Sequence, residues 1–191
     1  MISKHTYRIA LILLSAILLV TSCKSKKPVL KGSPGEVVKP QDFIADKYAV
    51  IMDVNKSDIQ NGRLYNFIEE WTGTPYRFGG LDKNGIDCSG LAYLLEQQVY
   101  GVNIPRMTSQ QINVIKRKYE DELQEGDLVF FDFDGKKFSH VGIYLQNGYV
   151  VHASTRRGVI IVKLRDPSMY RYFSRAGSIM QTVTADSSNG K

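Results

Sequence analysis

Apolar residues change their spacing twice along this chain. Ile9 to Val20 is a continuous apolar run of 12 residues broken only by Ser15. Further on, Leu64, Phe67, Ile68 and Trp71 stand at i, i+3, i+4 and i+7, the spacing of one face of an amphipathic helix, and Gly73 with Pro75 beyond it ends the pattern. Leu91, Leu94, Leu95 and Val99 predict a second helix stopped by Gly101. A third, shorter helix is expected from Ser109 to Arg117. The period then falls to two. Leu128 to Phe133, Phe138 to Leu145, Tyr149 to Ser154, Val159 to Leu164 and Tyr170 to Ile179 are rich in β-branched and aromatic residues and read as strands. Helices followed by closely spaced strands define an α+β class, with N-terminal helices packed on an antiparallel sheet of five to six strands.

The ends of the chain follow other rules. Lys4, His5 and Arg8 precede the apolar run, which is too short for a membrane span of about 20 residues. Residues 1–22 therefore read as an export signal. The run ends in Val20, Thr21, Ser22 and Cys23, which resembles the lipobox of bacterial lipoproteins, where the cysteine is lipidated and becomes the new N-terminus. The alternative is a buried cysteine closing an uncleaved anchor. Stable anchoring needs two or more acyl chains, at about 0.8 kcal/mol per buried CH₂. Residues 23–44 then form a lipidated cysteine and a tether in which five lysines alternate with Pro28, Pro34 and Pro40. Those lysines serve either solubility or contact with anionic headgroups. A catalytic domain is expected over 45–182 and a disordered tail over 183–191.

Composition sharpens this division. The 191 residues carry a formal net charge of +6 and are 43% hydrophobic, enough to bury a core. The signal accounts for +2 and the tether for +3, leaving +1 on the folded part. A nearly neutral domain without a recognisable RNA or DNA motif is not read as a nucleic-acid binder. Of two cysteines, Cys23 is assigned to lipid, so no disulfide is expected and Cys88 remains as the free thiol. His140 and His152 are the imidazoles left once the signal is removed.

Cys88 lies in Gly85-Ile86-Asp87-Cys88-Ser89-Gly90, between a glycine-rich loop and the start of the second helix. Unpaired N–H groups and the positive end of the helix dipole there favour a thiolate, so its pKa is expected to fall. A buried, inert cysteine is the alternative. His140 and His152 lie on successive strands 12 residues apart, and their relation depends on the intervening turn. A regular two-residue turn at Asn147 and Gly148 pairs Leu145 with Val150 and sends the rings to opposite faces. A three-residue loop of Gln146, Asn147 and a left-handed Gly148, or an equivalent bulge, pairs Leu145 with Tyr149 and makes the rings diagonal neighbours. The second arrangement is expected. Cys88 is then the nucleophile, His140 the base, His152 the group orienting it, and the Cys88 N–H an oxyanion donor. A zinc site of one Cys and two His is the competing use, although short His spacing is lacking. No cofactor is called for.

Thr74-Pro75-Tyr76 with Gly79 and Gly80, Asp87-Cys88-Ser89-Gly90, Gly126-Asp127-Leu128, His140 to Tyr144, and Val151 to Ser154 resemble, in order, the signature blocks of the NlpC/P60 cysteine peptidases over about residues 60–180. The resemblance implies a papain-like α+β fold and hydrolysis of peptidoglycan stem peptides. It also implies catalytic roles for Cys88, His140 and His152 and substrate contacts for Tyr76, Asp87 and Ser89. For Tyr76 the alternative is turn packing, and for Asp87 it is helix capping. Arg106 to Gln111 resembles a loop bordering the cleft, without assigned roles. The layout of signal, lipidated cysteine, tether and one domain resembles the family's lipoprotein endopeptidases. It implies a monomer anchored in the cell envelope, on the periplasmic side of the outer membrane. The preferred bond is D-alanine to diaminopimelate, with γ-D-glutamate to diaminopimelate next. A non-catalytic wall-binding lipoprotein and an acyltransferase or amidase are the competing classes.

Overall fold

The computed structural model describes Ser33 and residues 38–180. The expected signal, Cys23, most of the tether and the tail lie outside the described residues. Helix α1 (Asp42–Met52) starts inside the segment read as tether and domain lead-in. It buries Ile44, Ala45, Tyr48, Ala49 and Met52, a helical stripe whose two alanines weaken its hydrophobic signature. Its partner is α2 (Gly62–Trp71), the first helix expected from the spacing, capped by the Asn61 side chain accepting from the Leu64 N–H. Tyr48 and Tyr65 bring the two helices together with ring centroids 5.0 Å apart.

A small hairpin of β1 (Leu81–Asp82) and β2 (Gly85–Ile86) leads into α3 (Cys88–Leu95). That helix widens into a π-helical turn over Glu96–Tyr100 and ends at Gly101 with φ of 74°. The expected third helix is corrected. Only α4 (Thr108–Gln111) and a following 3₁₀ turn are helical, and the chain then extends as β3 (Ile115–Lys118). The physical reason is tertiary. The described end of the sheet offers an antiparallel partner that pairs Ile115 with Ile179 and Arg117 with Gly177, and that pairing outweighs a short, weak helical pattern.

The remaining elements are β4 (Leu128–Phe131), β5 (His140–Tyr144), β6 (Tyr149–Ser154), β7 (Gly158–Lys163), α5 (Pro167–Tyr170) and β8 (Phe173–Ile179). The start of the last expected strand is instead helical, because Asp166 caps Pro167–Tyr170 through the Ser168 N–H. The main sheet has six strands in the order β3-β8-β4-β5-β6-β7, every neighbouring pair antiparallel. Leu128, Phe130, Val141, Ile143 and Val151 join the helices in the larger core. On the alternate positions, Val129, Phe131, Val150, Leu164, Met169 and Ala176 form a second cluster.

The β5–β6 connection decides the faces. The Tyr149 N–H donates to the Gln146 carbonyl (2.9 Å) around Asn147 and Gly148, both left-handed with φ of 50° and 74°. The Tyr149 carbonyl accepts from the Leu145 N–H (2.8 Å), so Gln146 is an extra, bulged residue. Tyr144 therefore faces Val150, and Ile143 faces Val151. This is the expected register, obtained with a tight turn plus a bulge at Gln146. Side chains hold the bulge in place: Asn147 Nδ2 donates to the Met52 carbonyl (2.8 Å), and Gln146 Nε2 to that of Asp58 (2.8 Å).

Candidate active site

Asp87 caps α3. Its Oδ1 accepts from the Gly90 N–H and its Oδ2 from the Gly79 N–H, each at 2.7 Å. Arg106 closes on the same carboxylate with Nη1 2.8 Å from Oδ1 and Nη2 2.9 Å from Oδ2, a bidentate ion pair. Ser89 Oγ donates to Asp87 (3.2 Å) and accepts from Arg106 (2.9 Å). The crowding is tight enough that a Cβ at Gly90 would lie 2.8 Å from the Gly80 carbonyl oxygen. Burial pushes the Asp87 carboxyl up, but Arg106 and the two N–H groups outweigh it and hold the group below the ordinary carboxylate range. Asp87 and Ser89 are thus both buried in an internal network, and the helix-capping role foreseen for Asp87 is realised.

Cys88 follows directly, 6% exposed. Burial pushes its thiol up and the Asp87 charge adds to this, while the Val141 N–H, the Thr108 side chain and the Ser89 N–H pull down without prevailing. The expectation of a depressed thiol pKa is therefore corrected: desolvation exceeds what the helix N-terminus supplies. The Val141 contact sets the thiol against the peptide unit next to His140. Half-buried Tyr76, bridged to Ile86, is close enough to Cys88 that the thiol's charge helps burial to raise the tyrosine's pKa.

His140 Nε2 and His152 Nδ1 are 2.8 Å apart, both rings are buried, and the ring planes stand at 85°. Gly142 makes this possible. A Cβ there would lie 3.1 Å from the Val151 carbonyl oxygen and 3.3 Å from the His152 Cβ. Phe131 and Phe133 wall the His140 ring, with centroids at 6.0 and 5.2 Å. Burial and the neighbouring His152 push His140 down to about 3, and burial with the Arg157 charge pushes His152 down to about 4. These shifts favour the protonated thiol and uncharged imidazoles in the free site. A hydrogen donated from His140 Nε2 to His152 Nδ1 leaves His140 Nδ1 as the basic nitrogen. Among the described residues no three His, Cys, Asp or Glu side chains cluster in a way that could hold a metal ion.

Sequence reasoning gave no role to Arg106, Gln111 and Thr108. Gln111 Nε2 ties the Ser89 carbonyl (3.0 Å) to that of Pro105 (2.9 Å). The available signal was the need of a buried, helix-capping aspartate for a cation, which Arg106 follows by 19 residues.

The NlpC/P60 family model matches residues 73–178, more than half of the chain, including all three catalytic candidates. The chain belongs to the NlpC/P60 family. A probable endopeptidase NlpC of Escherichia coli K12 is 34% identical over 173 residues, covering 90% of this chain and 99% of that protein. A murein DD-endopeptidase MepS/murein LD-carboxypeptidase of the same strain is 36% identical over 127 residues, and the match spans 66% of each chain. An NlpC/P60 family protein from Bacillus cereus superposes with a TM-score of 0.57 at 26% identity, over 76% of this chain and 42% of that one. Family membership and the antiparallel α+β architecture thus agree with the expectations drawn from the signature blocks. No helix among the described residues is long and apolar enough to cross a membrane.

Proposed function

We propose that the protein is a peptidoglycan hydrolase of the cysteine peptidase type, acting through Cys88, His140 and His152. The observation that carries this reading is the thiol held at the start of α3 beside Val141, with the adjacent His140 bonded to His152 at 2.8 Å. As substrate enters, His140 Nδ1 takes the thiol proton and sulfur attacks the scissile carbonyl carbon. The Cys88 N–H stabilises the oxyanion, and His140 returns the proton to the leaving amine. His152 holds the His140 ring in the tautomer this requires, and Tyr76, Asp87 and Ser89 line the acyl side of the cleft.

The murein DD-endopeptidase relative supports peptidoglycan as the substrate. Within it we favour the D-alanine to diaminopimelate cross-link, followed by the γ-D-glutamate to diaminopimelate bond. The proposed site of action is the cell envelope, with a monomer lipid-anchored through Cys23 on the periplasmic side of the outer membrane. The full-length protein is expected to digest purified peptidoglycan, and Cys88→Ala to lower the rate by roughly 10⁴-fold or more. Mass analysis of the fragments identifies the bond. Retained hydrolysis in the variant overturns the mechanism, and binding without hydrolysis by the wild type assigns the protein to the non-catalytic class.

A further inference from the structure

Beyond the two imidazoles lies a cavity of about 750 Å³ that His140 and His152 line together with Arg156, Arg157, Arg171 and Tyr172. Its charge is one-sided. Against three arginines the lining holds one acid, Asp134, and Asp166 is within electrostatic reach of Arg157. Among the described residues none of the three arginines forms an ion pair within 4.0 Å. Arg171 lies over the Tyr172 ring at 5.2 Å. Three cations with no ion-pair partner among the described residues thus line one cavity of a domain whose net charge is close to +1.

The position of the cavity identifies which part of a substrate it meets. A base that returns its proton to the leaving amine must have that amine beside its ring, so the leaving half lies on the histidine side of the thiol. Asp87, Ser89 and Arg106 do not line this cavity. His152 adds a further feature. Its Nε2 is buried without a hydrogen-bond partner, and when Nδ1 accepts from His140 that Nε2 carries a proton with no acceptor.

We propose that this cavity is the leaving-group pocket and that Arg156, Arg157 and Arg171 select a leaving residue with a free carboxylate on the carbon bearing its amine. The inference rests on the proposed hydrolase reading and deepens it. In the D-alanine to diaminopimelate cross-link the leaving amine sits on such a carbon, and the same holds for any carboxypeptidase cleavage. A carboxylate among the guanidinium groups supplies negative charge that Asp134 alone does not balance.

The test uses the full-length protein and cross-linked muropeptide dimers whose acceptor diaminopimelate carboxylate is either free or amidated. Cleavage is followed with wild type, and binding by calorimetry with Cys88→Ala. The expected result is a preference for the free acid of roughly 10- to 100-fold in both measurements, the loss associated with one charged hydrogen-bonding partner. Arg157→Ala combined with Arg171→Ala is expected to reduce that preference below about threefold, with Arg→Lys at both positions restoring part of it. Equal treatment of acid and amide, or a preference that survives both alanines, overturns the pocket assignment even if cleavage is normal. A binding preference without cleavage supports the pocket and overturns the hydrolase reading.

Discussion

At the N-terminal end of α3, the Asp87 carboxylate is 5% exposed and accepts from two backbone N–H groups and both arms of Arg106. At the other end Glu96 is 3% exposed, its Oε1 has no hydrogen-bond partner, and burial with the nearby Asp127 charge pushes its carboxyl up to about 8. The helix dipole favours the first carboxylate and opposes the second. Arg63 reaches this turn with Nη2 on the Gln98 carbonyl, and Lys118 is paired with Asp127 at 2.8 Å. Similar burial therefore yields an anion at one end of the helix and a neutral acid at the other. Burial sets the cost of the charge, and partners determine whether it is met.

Removing Arg106 is the largest single disturbance to this contrast. Arg106→Ala leaves a buried carboxylate with its two N–H donors and the Ser89 hydroxyl, and it is expected to cost about 3 kcal/mol in denaturant unfolding. That is the lower end for a buried pair, because the Arg106 side chain keeps 30% exposure. Adding Asp87→Asn should recover more than half of the loss. A cost below about 1 kcal/mol would show that the N–H groups, the Ser89 hydroxyl and the dipole sustain the anion without Arg106.

The two ends of α3 also differ in how much of them could be read from sequence. Cys88, His140 and His152 were legible because strand alternation and one turn decide their relation, and the bulge at Gln146 realises the expected register by a slightly different route. The Arg106 clamp was not, since nothing local links residues 87 and 106. Helix α1 was hidden by its small apolar residues and by a proline-rich approach, and β3 by a short helical pattern that yields to the sheet. The direction of the Cys88 shift depended on the depth of burial, which a position at a helix start does not specify. Glu96 offered no signal at all: it follows the apolar face of α3 as an ordinary glutamate, and only the folded π-helical turn buries it.

Glu96 makes the contrast measurable by pH. Its native pKa is raised from 4.5 to about 8, so the folded state keeps a proton that the unfolded chain releases, and stability falls as pH climbs through that interval. The histidine pair acts in the opposite sense. With native values of about 3 and 4 against 6.5 unfolded, it costs stability as pH falls below 6.5 and is silent above. Between pH 6.5 and 8 the Glu96 contribution is therefore isolated from theirs. Wild type should lose about 2 kcal/mol across it, and Glu96→Gln should remove that slope. An unchanged slope in the variant would assign the alkaline loss to another group.

Ser89 supplies the smallest and most discriminating change at the Asp87 end. Its hydroxyl bridges Asp87 and Arg106, so Ser89→Ala removes one donor and one acceptor from a network that retains its ion pair. The expected cost is about 1 kcal/mol by thermal unfolding. The proposed substrate contact of Ser89 adds a second expectation: KM on a muropeptide substrate should rise several-fold while kcat stays within about twofold, the pattern of lost ground-state binding. A stability loss with unchanged KM would confine Ser89 to holding Asp87 in place. A fall in kcat instead would mean that the network governs where the thiol sits, because Ser89 follows Cys88 directly and its N–H reaches the sulfur.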